Sequence, residues 1–126
     1  MIWKKSGEGK ILIIEDEEDV AKALKIRLKA NGYDVISAPD SIQGVTLANK
    51  EKPDLIILDI MIPGGGGFAV AERLKQDVDT WDIPIIFLTG IPGTEERAYK
   101  AGARFYFRKP YNPESLLGAI KKALEK

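Results

Sequence analysis

The chain has 126 residues, which is the size of one domain and leaves no room for a second domain with its own core. Its 19 lysine and arginine residues balance 19 aspartate and glutamate residues, so the net charge gives no reason to expect binding to nucleic acid or to an anionic membrane. The sequence contains neither cysteine nor histidine, which excludes disulfides, thiolate nucleophiles, histidine-based catalytic triads and a phosphorylated histidine. Any chemistry must therefore use carboxylates, lysine, tyrosine or hydroxyl groups.

The first nine residues are predicted to form a tail that precedes one domain over residues 10–126. The tail has no apolar stretch after its lysines, so it lacks the pattern of a secretory signal. The uninterrupted apolar runs further along are far shorter than the roughly 20 residues that span a bilayer. We therefore expect a soluble, cytoplasmic protein.

Five short apolar runs along the chain each precede a stretch of residues with helical periodicity. Runs of consecutive β-branched residues are expected of strands that are covered on both faces, as they are in a parallel sheet. The second run is the weakest and suits an edge strand. In chain order the predicted strands cover residues 11–14, 34–37, 55–58, 85–88 and 105–107.

Helices are predicted after these runs from apolar residues that repeat every three or four positions. Asn31 and Gly32 favour the end of the first helix, Thr94 can cap a short fourth, and Asn112 and Pro113 favour the start of the fifth. A strand followed by a helix, five times over with right-handed crossovers, predicts a doubly wound α/β fold with helices on both faces of one parallel sheet. The apolar residues of the helices are Val20, Ala23, Leu24 and Leu28 for the first; Ile42, Val45 and Ala48, interrupted by Gly44, for the second; Phe68, Ala71, Leu74 and Val78 for the third; Ala98 and Ala101 for the fourth; and Leu116, Leu117, Ile120 and Leu124 for the fifth.

Acidic residues follow the first and third predicted strands, at the carboxyl ends where doubly wound folds bind their ligands. Glu15 and Asp16 come directly off the first strand, and Asp59 follows the third. Acids are also common at helix N-termini, and Asp59 alone is equally compatible with a turn. If the two strands are neighbours, however, the three carboxylates repel one another unless a divalent cation lies between them, and Mg²⁺ is the natural candidate.

Thr89 and Lys109 follow the fourth and fifth predicted strands. Each is weak evidence alone, because a threonine in that place is often a turn residue and a lysine before proline is usually a solvated charge with extended backbone. Together with the acids they supply what phosphoryl transfer to a carboxylate requires. The acids hold a metal, Asp59 attacks, and Thr89 and Lys109 contact the phosphoryl oxygens.

These motifs, taken in order, make the chain similar to the receiver domain of two-component response regulators, including the single-domain chemotaxis type. The resemblance covers residues 10–126 and implies a flavodoxin-like (βα)5 fold with strand order 2-1-3-4-5. Any one motif is weak evidence, whereas five in register are strong. They are Ile-Ile-Glu15-Asp16-Glu17, Pro53-Asp54-Leu-Ile-Ile-Leu-Asp59-Ile-Met-Ile-Pro63, Pro84-Ile-Ile-Phe-Leu-Thr89-Gly90, Ala101-Gly102-Ala103 and Lys109-Pro110.

The resemblance implies a phosphorylation switch rather than an enzyme. Asp59 would accept a phosphoryl group from the phosphohistidine of a sensor histidine kinase or a phosphotransfer protein. Asp16, Asp59 and the backbone carbonyl of Met61 would ligate Mg²⁺ or Mn²⁺, and Glu15 would act in the outer shell of the metal. The domain over residues 10–126 would then signal to a downstream protein or to a fused output domain.

The resemblance also implies how the signal leaves the site. Thr89 would bind the phosphoryl group, Lys109 would pair with it, and Tyr106 would change rotamer as Thr89 is drawn inward. The surface that responds would be formed by the fourth helix, the fifth strand and the fifth helix. The fourth and fifth helices are also a surface through which such domains form homodimers.

Three departures from the usual pattern of such domains stand out. Glu15 replaces the commoner aspartate, which adds one methylene that a hydrated metal tolerates. The four glycines of residues 64–67 stand where bulkier or acidic residues are usual, so this loop costs more backbone entropy to order. Arg104 and Phe105 replace acidic or small polar residues, a change that bears on the choice of partner.

Three other functions are compatible with part of the sequence. A pseudo-receiver that docks partners without phosphorylation would share the fold, but it commonly lacks the acceptor, the metal acids or the lysine. A dinucleotide enzyme is suggested by the Gly-x-Gly-x-x-Ala string at residues 64–69, but Asp59 lies between this string and its strand. An enzyme with an aspartyl-phosphate intermediate commonly has a second acid where Met61 stands.

Overall fold

The computed structural model describes residues 9–125, so the predicted tail lies outside the described residues except for Gly9, and so does Lys126. Within this range five strands alternate with five helices. The strands are β1 (Lys10–Ile14), β2 (Asp34–Ala38), β3 (Leu55–Leu58), β4 (Ile85–Thr89) and β5 (Phe105–Arg108). The helices are α1 (Glu18–Ala30), α2 (Ser41–Glu51), α3 (Gly66–Gln76), α4 (Glu95–Lys100) and α5 (Pro113–Leu124).

The strands form one parallel sheet of order β2-β1-β3-β4-β5, which confirms the predicted fold class and strand order. The second predicted strand does lie at an edge. Ile14 of β1 is level with Leu58 of β3, so the residues that follow these two strands start side by side. The backbone N–H of Asp59 donates to the carbonyl of Ile14 at 3.1 Å, which extends the pairing to the acceptor candidate itself.

Two apolar cores lie on opposite faces of the sheet, because successive residues of a strand point to opposite sides. In β1, Leu12 and Ile14 pack into the core shared with α2, α3 and α4. Ile11 and Ile13 pack into the core shared with α1 and α5. Central strands covered on both faces have no polar side to show, which explains their continuous apolar runs.

Helix α2 packs on the sheet through Val45 and Ala48 as predicted, but not through Ile42. Ile42, predicted to be apolar core, is 72% exposed, whereas Ser41, Gly44 and Ala48 are buried. A Cβ atom on Gly44 would lie 2.6 Å from Cδ1 of Ile14, so the helix comes too close to β1 there for any larger residue to fit without a shift. This close approach at the glycine determines the buried face.

Helix α3 ends earlier than its apolar pattern predicted. It stops at Gln76, and Val78, which was predicted to continue the apolar stripe, is 82% exposed. The C-cap residue Asp77 has an extended backbone, and Thr80 takes the buried place, where its hydroxyl donates to the carbonyl of Leu74 at 2.7 Å.

The other helices are close to prediction. Helix α1 buries Leu24 and Leu28, although Ala23 is exposed. Helix α5 starts at Pro113 behind Asn112, whose side chain accepts a hydrogen bond from the N–H of Ser115. Among the described residues, no helix has the length and apolar character that crossing a membrane requires.

Candidate functional site

Three carboxylates meet at the carboxyl ends of β1 and β3. Glu15 follows β1 and Asp59 follows β3, and both are only 6% exposed, while Asp16 is exposed at the rim. One carboxylate oxygen from each residue lies within 4.8 Å of the others. The parallel pairing of β1 with β3 thus brings together the three acids that the sequence singled out.

Lys109 reaches back from the end of β5 to the two buried acids. Its Nζ atom donates to Oε1 of Glu15 at 2.5 Å and to Oδ2 of Asp59 at 3.2 Å. Its backbone N–H donates to the carbonyl of Thr89 at 2.9 Å, which holds the base of the side chain next to β4. A single ammonium group therefore lies between two buried carboxylates, and it offsets part of the cost of burying their charge.

Backbone donors occupy the other oxygen of each buried acid. Oε2 of Glu15 accepts from the N–H of Glu17 at 3.2 Å, and Oδ1 of Asp59 accepts from the N–H of Met61 at 3.3 Å. These bonds fix the orientation of both carboxylates. The side chain of Met61 is itself exposed.

Burial and the ion pairs shift the pKa values of Glu15 and Lys109. Burial raises the pKa of Glu15 above its usual value of 4.5, and the hydrogen bond from Lys109 opposes this only in part. Burial also lowers the pKa of Lys109, but the hydrogen bond to Glu15 and the charge of Asp59 outweigh burial and leave that pKa above 10.5. The ion pairs of Lys109 are thus intact at neutral pH and are lost only when the pH rises above that value.

The donor set fits a hard divalent cation. Carboxylate oxygens at the mouth of an electron-rich pocket are the ligands that Mg²⁺ prefers, and the exposed Asp16 leaves room for the waters that Mg²⁺ keeps. Because three carboxylates meet here beside one ammonium group, a second cation would be favourable.

Thr89 and Tyr106 are connected through the backbone of one residue, Ile91. Thr89 is fully buried at the end of β4, and its hydroxyl oxygen accepts from the N–H of Ile91 at 3.3 Å. The hydroxyl of Tyr106 donates to the carbonyl of Ile91 at 3.2 Å and lies 2.7 Å from Oγ1 of Thr94. A displacement of Thr89 would therefore reach Tyr106 within a few bonds.

Thr94 does not cap α4 as the sequence predicted. It occupies the N-cap position, but its side chain makes no capping bond. Its hydroxyl instead donates to the carbonyl of Ile91 at 3.0 Å and contacts the hydroxyl of Tyr106. This pairing could not be predicted from the sequence, because the two residues are twelve positions apart and meet only in the folded chain.

The glycine run spans the end of the turn after Asp59 and the first two residues of α3. Gly64, Gly65 and Gly66 have φ angles of 91°, 121° and 85°, a region that L side chains rarely adopt. Gly67 is required for a different reason, because a Cβ atom there would lie 2.2 Å from the carbonyl oxygen of Asp59. The glycine run, which departs from the usual pattern, therefore lets the chain pack closely against the backbone of Asp59.

Ser41, which sequence reasoning missed, ties this turn to α2. It is buried, and both its hydroxyl and its backbone N–H donate to the carbonyl of Pro63, at 2.8 and 2.9 Å. Its Oγ atom lies 2.3 Å from where a Cβ of Gly64 would stand. Its place beside the helix cap Asp40 hid this role, because a serine there is typical of any helix start.

We expect the substitution Lys109→Met to destabilise the protein by about 3 kcal/mol at neutral pH, because it leaves two buried carboxylates without their cation. The loss should shrink as the pH falls and Glu15 takes up a proton. Urea denaturation of both proteins at neutral and acidic pH measures the difference.

The matched double variant adds Glu15→Gln to Lys109→Met and removes one of the two charges. It should recover most of the lost stability, since its glutamine is uncharged. A double variant as unstable as the single one would contradict the role of Lys109 as the counter-charge of Glu15.

The comparisons with known proteins agree with this geometry. The family model described as response regulator receiver domain matches residues 11–121, so the chain belongs to this family. It is 38% identical over 119 residues to the DNA-binding dual master transcriptional regulator RpaA of Synechocystis sp., a match that covers 93% of this chain and 49% of that protein. The chain spans about half the length of the curated relatives it matches.

Solved structures show the same fold. A protein of Chloroflexus aurantiacus assigned to the response regulators is similar with a TM-score of 0.90 and 30% identity, covering 94% of this chain and 99% of that one. The chemotaxis response regulator CheY4 of Vibrio cholerae gives a TM-score of 0.85 at 27% identity, covering 93% of this chain and 99% of that one. The resemblance predicted from the motifs is thus confirmed.

Proposed function

We propose that this chain is a phospho-accepting receiver that takes a phosphoryl group from a phosphohistidine onto Asp59. The donor is a sensor histidine kinase or a phosphotransfer protein. The observation that carries the proposal is the Asp59 carboxylate itself, which is buried beside Lys109 and within 4.8 Å of the oxygens of Glu15 and Asp16. A buried acid held between a cation and further acids has no evident structural purpose that an apolar residue would not serve better.

The residues that would hold Mg²⁺ or Mn²⁺ are Asp16, Asp59 and the backbone carbonyl of Met61, with Glu15 in the outer shell. When bound, the ion supplies positive charge that stabilises the transferring phosphoryl oxygens. The pseudo-receiver alternative is disfavoured because all four residues are present: Lys109 is hydrogen-bonded to Glu15 and Asp59, and an oxygen of Asp16 lies within 4.8 Å of theirs.

In the proposed reaction, a carboxylate oxygen of Asp59 forms a bond to phosphorus as the phosphorus–nitrogen bond of the phosphohistidine breaks. The imidazole leaves with the electron pair of that bond and takes up a proton. Lys109, whose Nζ lies 3.2 Å from Oδ2 of Asp59, stabilises the negative charge that arrives with the phosphoryl group. The chain acts as a phosphorylation switch rather than as an enzyme with a released product.

We infer that the switch runs from Thr89 to Tyr106. Thr89 binds the phosphoryl oxygens, and its movement alters the position of Ile91, to which both side chains are hydrogen-bonded. The change in Tyr106 alters the surface of α4, β5 and α5. We further propose that residues 10–126 are the receiver domain and that this surface signals to a downstream protein or to a fused output domain.

Titration with beryllofluoride, a phosphoryl mimic, tests the proposal without a known kinase. We expect saturable binding that requires Mg²⁺, followed by NMR shifts that start at Asp59 and extend to Thr89 and Tyr106. Absence of binding with Mg²⁺ present would support the pseudo-receiver instead. If beryllofluoride binds but the NMR shifts do not reach Tyr106, the result would support Asp59 as the acceptor and contradict the proposed switch.

A further inference from the structure

Of the groups proposed to hold Mg²⁺, the carbonyl of Met61 lies furthest along the chain from the strand that precedes it. Pairing with β1 continues as far as Asp59, whose N–H donates to the carbonyl of Ile14 at 3.1 Å. Met61 follows two residues later, and its N–H donates to Oδ1 of Asp59 at 3.3 Å. The sheet therefore positions the carboxylate of Asp59, but the carbonyl of Met61 depends on how the following turn is held.

Ser41 holds that turn from its other side. The carbonyl of Pro63, two residues after Met61, accepts from the hydroxyl of Ser41 at 2.8 Å and from its backbone N–H at 2.9 Å. Ser41 is buried, and a Cβ atom on Gly64 would lie 2.3 Å from its Oγ atom, so the turn packs directly against the serine. The backbone that carries Met61 is thus fixed both at Asp59 and at Pro63.

Ser41 is in turn fixed to the strand that carries the other acids. The N–H of Glu15 donates at 3.0 Å to the carbonyl of Ala38, three residues before Ser41. Three residues after Ser41, Gly44 packs so closely on β1 that a Cβ atom there would lie 2.6 Å from Cδ1 of Ile14. The start of α2 therefore cannot follow a movement of the turn, and Ser41 connects this turn to the part of the site formed by β1.

A ligand that is held in place favours one size of cation over another. Mg²⁺ is small and requires near-ideal octahedral geometry, whereas Ca²⁺ accepts longer and more variable distances in a flexible site. Groups that orient a metal ligand without contacting the metal commonly affect its affinity as well. The hydroxyl of Ser41 is such a group for the carbonyl of Met61.

We propose that Ser41 is a positioning residue that favours Mg²⁺ over Ca²⁺ at the candidate metal site by fixing the carbonyl of Met61. The proposal rests on the proposed function, in which this carbonyl is a metal ligand. Ser41 acts through Pro63 and not by contact with the ion. Without its hydroxyl the turn keeps the bond from the backbone N–H, so it stays in place but is held less tightly.

The variant Ser41→Ala tests the proposal in titrations with Mg²⁺ and, separately, with Ca²⁺. Binding is followed by NMR through the amide signals of Glu17 and Met61, whose N–H groups donate to the carboxylates of Glu15 and Asp59. We expect the dissociation constant for Mg²⁺ to rise about tenfold, since the loss of a group that orients a ligand commonly has an effect of this size. The dissociation constant for Ca²⁺ should stay close to the wild-type value, because Ca²⁺ tolerates a looser ligand.

The matched control is Thr46→Ala on the same helix. The hydroxyl of Thr46 donates to the carbonyl of Ile42 at 2.9 Å on the exposed side of α2, so the variant also loses one hydroxyl-to-carbonyl bond, but away from the turn. Both of its dissociation constants should equal those of the wild type.

The ratio of the two dissociation constants separates positioning from a general loss of structure. If Ser41→Ala weakened both ions equally or neither, or if Thr46→Ala changed the ratio as much, the role of Ser41 would be overturned while the metal site itself stood. A wild-type protein that binds neither ion would overturn the proposed function, and this proposal with it.

Discussion

Replacing Asp59 by asparagine is expected to reduce phosphorylation by acetyl phosphate to background. The asparagine side chain keeps the size of the aspartate and can still accept the hydrogen bond from the N–H of Met61, so the fold should be retained. What is lost is the nucleophilic carboxylate oxygen, for which an amide cannot substitute. Intact-mass spectrometry in the presence of Mg²⁺ measures the phosphorylated fraction, and acid lability of the label distinguishes an acyl phosphate from a phosphoserine.

The matched control is Asp54→Asn, at the other end of β3. Asp54 accepts a hydrogen bond from the N–H of Lys10, which an asparagine can also accept, and it lies far along the strand from the acids of the site. This variant should be phosphorylated like the wild type. Undiminished labelling of the Asp59→Asn protein would place the acceptor elsewhere and contradict the proposed function.

Most of the fold could be predicted because the apolar runs are continuous. Every strand in the structure starts and ends within one residue of its apolar run. A strand that is buried on both faces is apolar throughout, so it can be recognised without knowing which strands lie next to it. The exposure of Ile42 in α2 and the end of α3 could not be predicted. They depend on the close approach of Gly44 to Ile14 and on the burial of Thr80, which exist only once the elements have packed.

The candidate site, like the fold, has a part that could be predicted from the sequence and a part that could not. Glu15 and Asp59 could be placed together because both follow neighbouring parallel strands, and a parallel sheet aligns its carboxyl ends. The ion pair of Lys109 with Glu15 and the connection of Thr89 to Tyr106 through Ile91 could not be foreseen, because they depend on loop conformation. The position of a residue that directly follows a strand is determined by the pairing of the strands. The conformation of a loop depends on tertiary contacts, which cannot be predicted from one sequence.

The substitution Gly67→Ala should destabilise the protein although alanine is the better helix former. Because a Cβ atom there would lie 2.2 Å from the carbonyl oxygen of Asp59 and 2.8 Å from Cα of Ile60, backbone rather than a flexible side chain must move. Overpacking of this kind costs about 3 kcal/mol. The same movement displaces the carboxylate of Asp59, so the affinity for beryllofluoride should fall together with the stability.

Gly118→Ala is the matched control, since it makes the same change on the exposed side of α5, where a Cβ atom would meet nothing within 4 Å. It should stabilise the protein by about 1 kcal/mol through helix propensity alone and leave beryllofluoride binding unchanged. Urea denaturation should therefore show opposite changes in stability for the two variants. The beryllofluoride titration should show a loss of affinity for Gly67→Ala only. If Gly67→Ala proved as stabilising as Gly118→Ala, the contact of α3 with the backbone of Asp59 would not be what positions the acceptor.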